Sequence, residues 1–223
     1  MENPSPRPGE RSRSAAEGAR VAKALEDLRT FIAHRVSEGF ESAHEIVENA
    51  TDYAYGKFEQ DFEPEAKRLT AELLAAYQAE QTGWGPSTDC DRLDEAFAAL
   101  NRQGIVARQD FSCCNNCGFT EIWDEVEEAE KQQPVVGYVF YHLQGTERAV
   151  KTGQLLMAYG CVEENPEAFQ RIGNTVVAEL RRVGLNASWG GTAGNPIVVE
   201  GMVWRRRRPQ EAEPNAAPDP ARM

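Results

Sequence analysis

GIVARQDFSCCNNCGFTEIWDE, residues 104–125, is where the character of the chain changes. Before Gly104 the apolar residues recur every three to four positions. From Ile105 they gather into a short β-branched run, IVARQDF (105–111), which a C-C-x-x-C turn separates from a segment of renewed helical period. That segment, from about Gly118 to Lys131, carries Ile122, Val126 and Ala129 on one face. A strand, a tight turn and a helix in that order mark the entry into an α+β region.

Upstream, four amphipathic stripes predict four helices. Val21, Leu25, Leu28, Ile32 and Val36 form the first, and Ala43, Ile46, Val47, Ala50, Tyr53 and Ala54 the second. Leu69, Leu73 and Tyr77 form the third, and Leu93, Phe97 and Leu100 the fourth. The punctuation agrees: Gly39 ends the first helix, Ser42 with Glu45 makes a capping box for the second, and Pro64 suits the first turn of the third. Asp89 or Asp91 is the expected cap of the fourth.

Downstream, VVGYVFYH (135–142), LLMAYGCV (155–162) and IVVEGMVW (197–204) read as strands, and LNASWG (185–190) as a partner for the last across a GGTAGN connection. VVGYVFY is apolar throughout, so its strand is expected to be covered on both faces. A short helical turn follows Gly145, and a long helix starts near Pro166 with Phe169, Ile172, Val176, Leu180 and Val183 aligned. The expected fold is α+β: a helical N-terminal half packed on or preceding a mixed β-sheet domain of about five strands and two main helices. Residues 1–14 and 209–223, rich in Pro, Ser, Ala and charge, read as disordered tails around a helical region, 15–103, and an α+β domain, 104–208.

The chain has 223 residues, 41% of them hydrophobic, enough to bury a sizeable core. Twenty-four Lys and Arg stand against 36 Asp and Glu, a net charge of −12 that duplex nucleic acid or an anionic membrane repels. No apolar run is long enough to span a bilayer, and Met1 to Arg20 does not have the basic-then-apolar form of a signal peptide. The expected location is the cytoplasm. Five cysteines, an odd number in a reducing compartment, argue against a disulfide framework.

Cys113, Cys114 and Cys117 are the one dense chemical motif. Their spacing suits a thiolate metal site, with zinc the natural ion, and His142, Cys90 or Cys161 are candidates for a fourth ligand. It suits equally a redox or nucleophilic thiol at Cys114 or Cys117, with His142 as base and Glu147 or Gln144 orienting it. Plain burial of small apolar side chains is the third reading. A thioredoxin-like fold is not indicated, because the elements after the turn do not follow that order. Arg205 to Arg208 could meet phosphate groups, but no aromatic platform is interleaved with them and the acidic chain argues against nucleic acid as a partner, so the run reads as a solvated boundary to the tail. Six carboxylates between Glu121 and Glu130 read mainly as a solvated helix face. No G-x-S-x-G, P-loop, G-x-G-x-x-G or H-E-x-x-H motif is present, so the sequence leans toward a non-enzymatic binding or regulatory module whose partner is a protein or a small ligand.

Several strings together resemble a family of bacterial proteins classed as a domain of unknown function. They are residues 89–125, GYVFYHLQGTERAV (137–150), the G-x-L-x-x-A-Y-G strand from Gly153 to Gly160, and WRRRR (204–208), with E-G-F and E-I-V-E in the helical leader. The resemblance spans roughly residues 20–208. It implies a C-C-x-x-C-G element, matched by Cys113, Cys114, Cys117 and Gly118. It also implies a Y-V-F-Y-H-x-Q-x-T-E element, matched by Tyr138 to His142, Gln144, Thr146 and Glu147. Gly145 departs from it, standing where the family pattern implies an aspartate. The resemblance implies no known reaction; it implies one intact module in which the cysteines and His142 matter together.

Overall fold

In a computed structural model of the chain, residues 8–55, 61–163 and 165–209 are described, with side chains from Glu17 onward. The first helix, α1 (Pro8–Glu38), begins inside the stretch read as an N-terminal tail; Pro8 suits a first turn, and no glycine or proline interrupts the pattern between Glu10 and Glu17. Residues 1–7 and 210–223, the rest of the two expected tails, lie outside the described residues.

α1 packs with α2 (Ala43–Tyr55) and α3 (Glu63–Gln81) around a core of their own. Ala24, Leu28, Ile32 and Val36 bury one row of α1 at four-residue spacing, against Ile46 and Ala50 of α2 and Ala66, Leu69 and Leu74 of α3. Gly39 ends α1 at φ +84°, and a Cβ there would stand 2.8 Å from the Arg206 side chain, so that position needs glycine twice over. The expected Ser42/Glu45 box is present: the Ser42 backbone N–H donates to the Glu45 carboxylate at 2.7 Å, and the Glu45 N–H donates to Ser42 Oγ at 3.3 Å.

The fourth helix, α4 (Asp89–Arg102), is capped one residue earlier than expected, by Thr88. Thr88 Oγ1 accepts from the Asp91 N–H while Asp91 returns the bond to the Thr88 N–H, so Asp91 is the third residue of the box rather than its cap. Leu93, Ala96, Phe97 and Leu100 of α4 enter the core of the sheet and not that of the bundle. The apolar division therefore falls between α3 and α4, ahead of the 103/104 boundary that the change of period suggests.

Among the described residues, β1 (Ile105–Arg108), β2 (Gly137–Phe140), β3 (Leu155–Cys161), β4 (Asn186–Ser188) and β5 (Ile197–Glu200) form a five-stranded sheet in the order β1-β2-β3-β5-β4. β1 and β2 are parallel, joined through α5 (Asn115–Glu130), and every other pair is antiparallel, which makes the sheet mixed. β4 and β5 pair across the GGTAGN connection as expected, with Ala187 opposite Val199. β2 is buried along its whole length, although β3 occupies the centre. The short turn expected after Gly145 is a full helix, α6 (Leu143–Thr152), with Gly145 inside it and Gly153 closing it at φ +70°. Thr146 and Ala149 of α6 are buried, which shows how a ten-residue helix is held by packing despite a poor helix former in its first turn.

α4 and α7 (Pro166–Arg182) cover one face of the sheet over Val139, Tyr141, Leu155, Met157, Ile197 and Val199. The other face is covered by α5 only above β1 and β2, where Val106, Tyr138 and Phe140 meet Ile122 and Val126. Leu156 and Ala158 of β3 are left half-buried on that face.

After Gly201 (φ +72°) the chain leaves the sheet and runs back to the bundle as an extended strap. Trp204 Nε1 donates to Glu38 O at 3.2 Å, and Tyr77 donates to Arg206 O at 2.9 Å. Arg208 and Gln81 exchange two bonds, 2.8 and 3.0 Å, and the Arg208 guanidinium donates to Val36 O and Glu41 O. Among the described residues no helix is long and apolar enough to cross a membrane.

Candidate metal centre

β1 is shorter than the expected run 105–111 because Asp110 (φ +50°) and Ser112 (φ +64°) turn the chain out of the sheet. Three backbone bonds pin that loop to the β2–α6 junction: Phe111 N–H to Tyr141 O at 2.9 Å, Tyr141 N–H to Arg108 O at 3.3 Å, and Leu143 N–H to Ser112 O at 3.1 Å. The loop ends at Cys114, whose extended backbone opens α5. Gly118 completes the C-C-x-x-C-G element for a packing reason, since a Cβ there would lie 2.4 Å from the edge of the Phe140 ring. The first turn of α5 thereby sits directly on β2, and the cysteines crown it.

The Sγ atoms of Cys113, Cys114 and Cys117 all lie within 4.8 Å of one another. Cys113 is exposed and the other two are partly so. The Cys114 thiol faces the Cys117 N–H, the thiols of Cys117 and Cys113, and the Asn116 N–H, which together hold its pKa below the ordinary thiol value. The Cys117 thiol is pushed up to about 11 by the neighbouring Cys113 and Cys114 sulfurs. Three soft, anion-forming sulfurs on one turn have the chemistry of a site for a thiophilic metal ion.

The other candidates fall elsewhere. Cys90 is buried on α4 with its thiol pushed up to about 12 by burial, and Cys161 ends β3 and donates to Glu163 O at 2.9 Å. Neither belongs to the thiol group, and the His142 nitrogens do not either. His142 precedes α6 without capping it; burial lowers its pKa, Asp110 opposes that, and its Nδ1 is buried without a hydrogen-bond partner. Glu147 turns to Arg35 of α1, 3.8 Å away, and Gln144 is exposed.

Most of the arginine run is turned inward. The Arg206 guanidinium lies over Phe40, 4.2 Å from the ring centroid, and donates to Asp94 and Gln109. Arg207 donates to Asp91 and Gly85 O, while Arg205 sits 6.0 Å from the Trp84 ring. On the acidic helix, Glu125 pairs with Arg108 at 2.7 Å and Glu128 pairs with Lys131.

Sequence reasoning passed over one buried charged group. Glu38, 3% exposed, bonds to Arg35 at 3.0 Å beside Asp110, which accepts from Thr146. The E-G-F and T-E strings held part of that signal; nothing in the sequence pointed to Asp110.

Fold and turn together define an α+β protein with a three-thiol centre at a strand-to-helix junction. The family model described as a domain of unknown function, DUF6891, matches residues 21–208, and the chain belongs to that family. No curated protein and no solved structure matches it.

Proposed function

We propose that the chain is a non-enzymatic binding module that holds one soft divalent metal ion, zinc by ligand chemistry, on Cys113, Cys114 and Cys117. The observation that carries this reading is the convergence of three Sγ atoms within 4.8 Å on a single turn. Zinc–sulfur bonds of about 2.3 Å put tetrahedral sulfurs about 3.8 Å apart, so the turn needs only a small contraction to close on an ion. With Cys90 and Cys161 buried elsewhere, a partner, a small ligand or water takes the fourth position, which is the arrangement of an open site rather than a closed structural one. Metal binding there would also tie the loop carrying the two positive-φ residues to the start of α5.

The test is elemental analysis with thiol counting on protein purified without chelator under mild reductant. The expected result is about one zinc per chain, three thiols shielded from a disulfide reagent until the metal is stripped, and Cys90 and Cys161 unreactive in both states. Absence of metal, with three thiols reactive from the start, sinks the reading.

The C-x-x-C spacing of Cys114 and Cys117 at the start of α5, with their sulfurs within 4.8 Å, favours one second reading, a dithiol couple. In it the Cys114 thiolate attacks a disulfide of a partner protein and releases one partner thiolate. Cys117 then displaces the other, leaving a Cys114–Cys117 disulfide and a reduced partner. Metal-free protein in which Cys114 alkylates far faster than Cys113 and Cys117 selects this reading over the first.

A further inference from the structure

Where α5 stops covering the sheet, a groove of about 340 Å³ opens over β3. Its floor is Leu156 and Ala158, its sides are Phe119 of α5 and Pro196 of the β4–β5 connection, and its end is the first turn of α6 with His142 and Arg148. The volume is that of a small-molecule site, and an apolar floor with a few polar groups at one end is the usual composition of one.

The polar end is built from donors. In a chain with 36 acidic residues, none of the described residues that line this groove is acidic. Arg148, exposed on α6, forms no ion pair among the described residues; its Nε and Nη2 donate to the Gln154 amide, whose Nε2 donates on to Glu200 at 3.3 Å. The backbone N–H groups of Asn115 and Gln144, in the first turns of helices of 16 and ten residues, have no acceptor among the described residues, and both residues line the groove. Two helix N-termini and an arginine around an apolar trough make a field for a negative head group and a surface for an apolar body.

We infer that this groove binds a small organic anion, its apolar body on Leu156, Ala158 and Phe119 and its carboxylate or phosphate head against Arg148 and the first turn of α6. The inference makes no use of the thiols and stands apart from the metal reading.

The test is an NMR titration of the isotope-labelled full-length chain carrying Cys113→Ser and Cys117→Ser, so that no thiolate-bound metal can capture the anion. The probes are naphthalene-2-carboxylate, 2-naphthyl phosphate and the uncharged 2-naphthamide. Saturable shifts at the Asn115, Gln144 and Ala158 amides are expected with at least one acid, with Kd on the order of 1 mM or tighter and about tenfold weaker binding of the amide. The tighter acid identifies the head group. Arg148→Gln, an exposed change that leaves the fold alone, removes the preference for charge, and Ala158→Phe fills the trough and blocks all three probes. The inference is overturned by any of three results: no saturable binding of either acid below about 10 mM, shifts that map outside the groove, or equal affinity for acid and amide.

Discussion

Glu38 shows what burial does to one residue. Burial raises its carboxyl to about 7; Arg35 pulls it down through charge and hydrogen bond, while Asp110 and Glu147 push it further up. The folded chain therefore keeps this proton above the pH at which the unfolded chain, near 4.5, has lost it. The contribution to stability is fully present below about 4.5 and is lost as the pH rises through about 7. Asp110, also raised by burial, acts in the same direction. His34 and His142, lowered by burial, act in the opposite sense over the same range, so the expected result is a difference: between pH 5 and 7 the urea unfolding midpoint of the native chain falls relative to that of Glu38→Gln, a change worth up to about 3 kcal/mol. An unaltered slope in that variant would place the titration elsewhere.

At the scale of elements, α5 and α6 illustrate how far pattern reading goes. The apolar face of α5 was legible from Ile122 and Val126, both buried, but its start at Asn115 was not. That start follows the turn at Asp110 and Ser112 and the extended Cys114, and its seat on β2 depends on the close approach of Gly118 to Phe140, residues 22 positions apart. Gly118→Ala should destabilise the chain by about 1–3 kcal/mol in urea melts, with Phe140→Leu restoring part of the loss by removing the ring edge. Full stability of the single variant would mean that the helix shifts off β2 without cost. α6 was under-read because LQGTERAVKT is short and holds a glycine; its stability comes from Thr146 and Ala149 in the core and from Gly153 at its end.

For the whole molecule, the deciding feature is the strap that joins the two cores. Trp204, Arg206 and Arg208 reach Glu38, Phe40, Val36 and Glu41 from the far end of the chain. The arginine run, which in sequence reads as a solvated boundary to the tail and only weakly as a phosphate-binding patch, is mostly a set of internal fastenings. Arg206→Ala removes the cation from half-exposed Asp94 and opens the space over Phe40; a loss of about 1–2 kcal/mol is expected. Calorimetry should then show the bundle and the sheet melting in two steps where the native chain melts in one. A single transition at the native temperature would show that the strap does not couple them.

Hydrophobic period and the cysteine run by themselves determined the four upstream helices, α7, the strands, the α+β class and the cysteine turn, because a period of 3.6 or 2 and a run of cysteines are local properties of the chain. Only the tertiary structure decided that α4 belongs with the sheet, that Cys90 and Cys161 stay apart from the thiol cluster, and that three of the four arginines turn inward. It also decided that a groove without carboxylates lies beside the turn. Each of these depends on contacts between residues far apart in sequence, and such contacts follow from which apolar faces find each other when the chain packs.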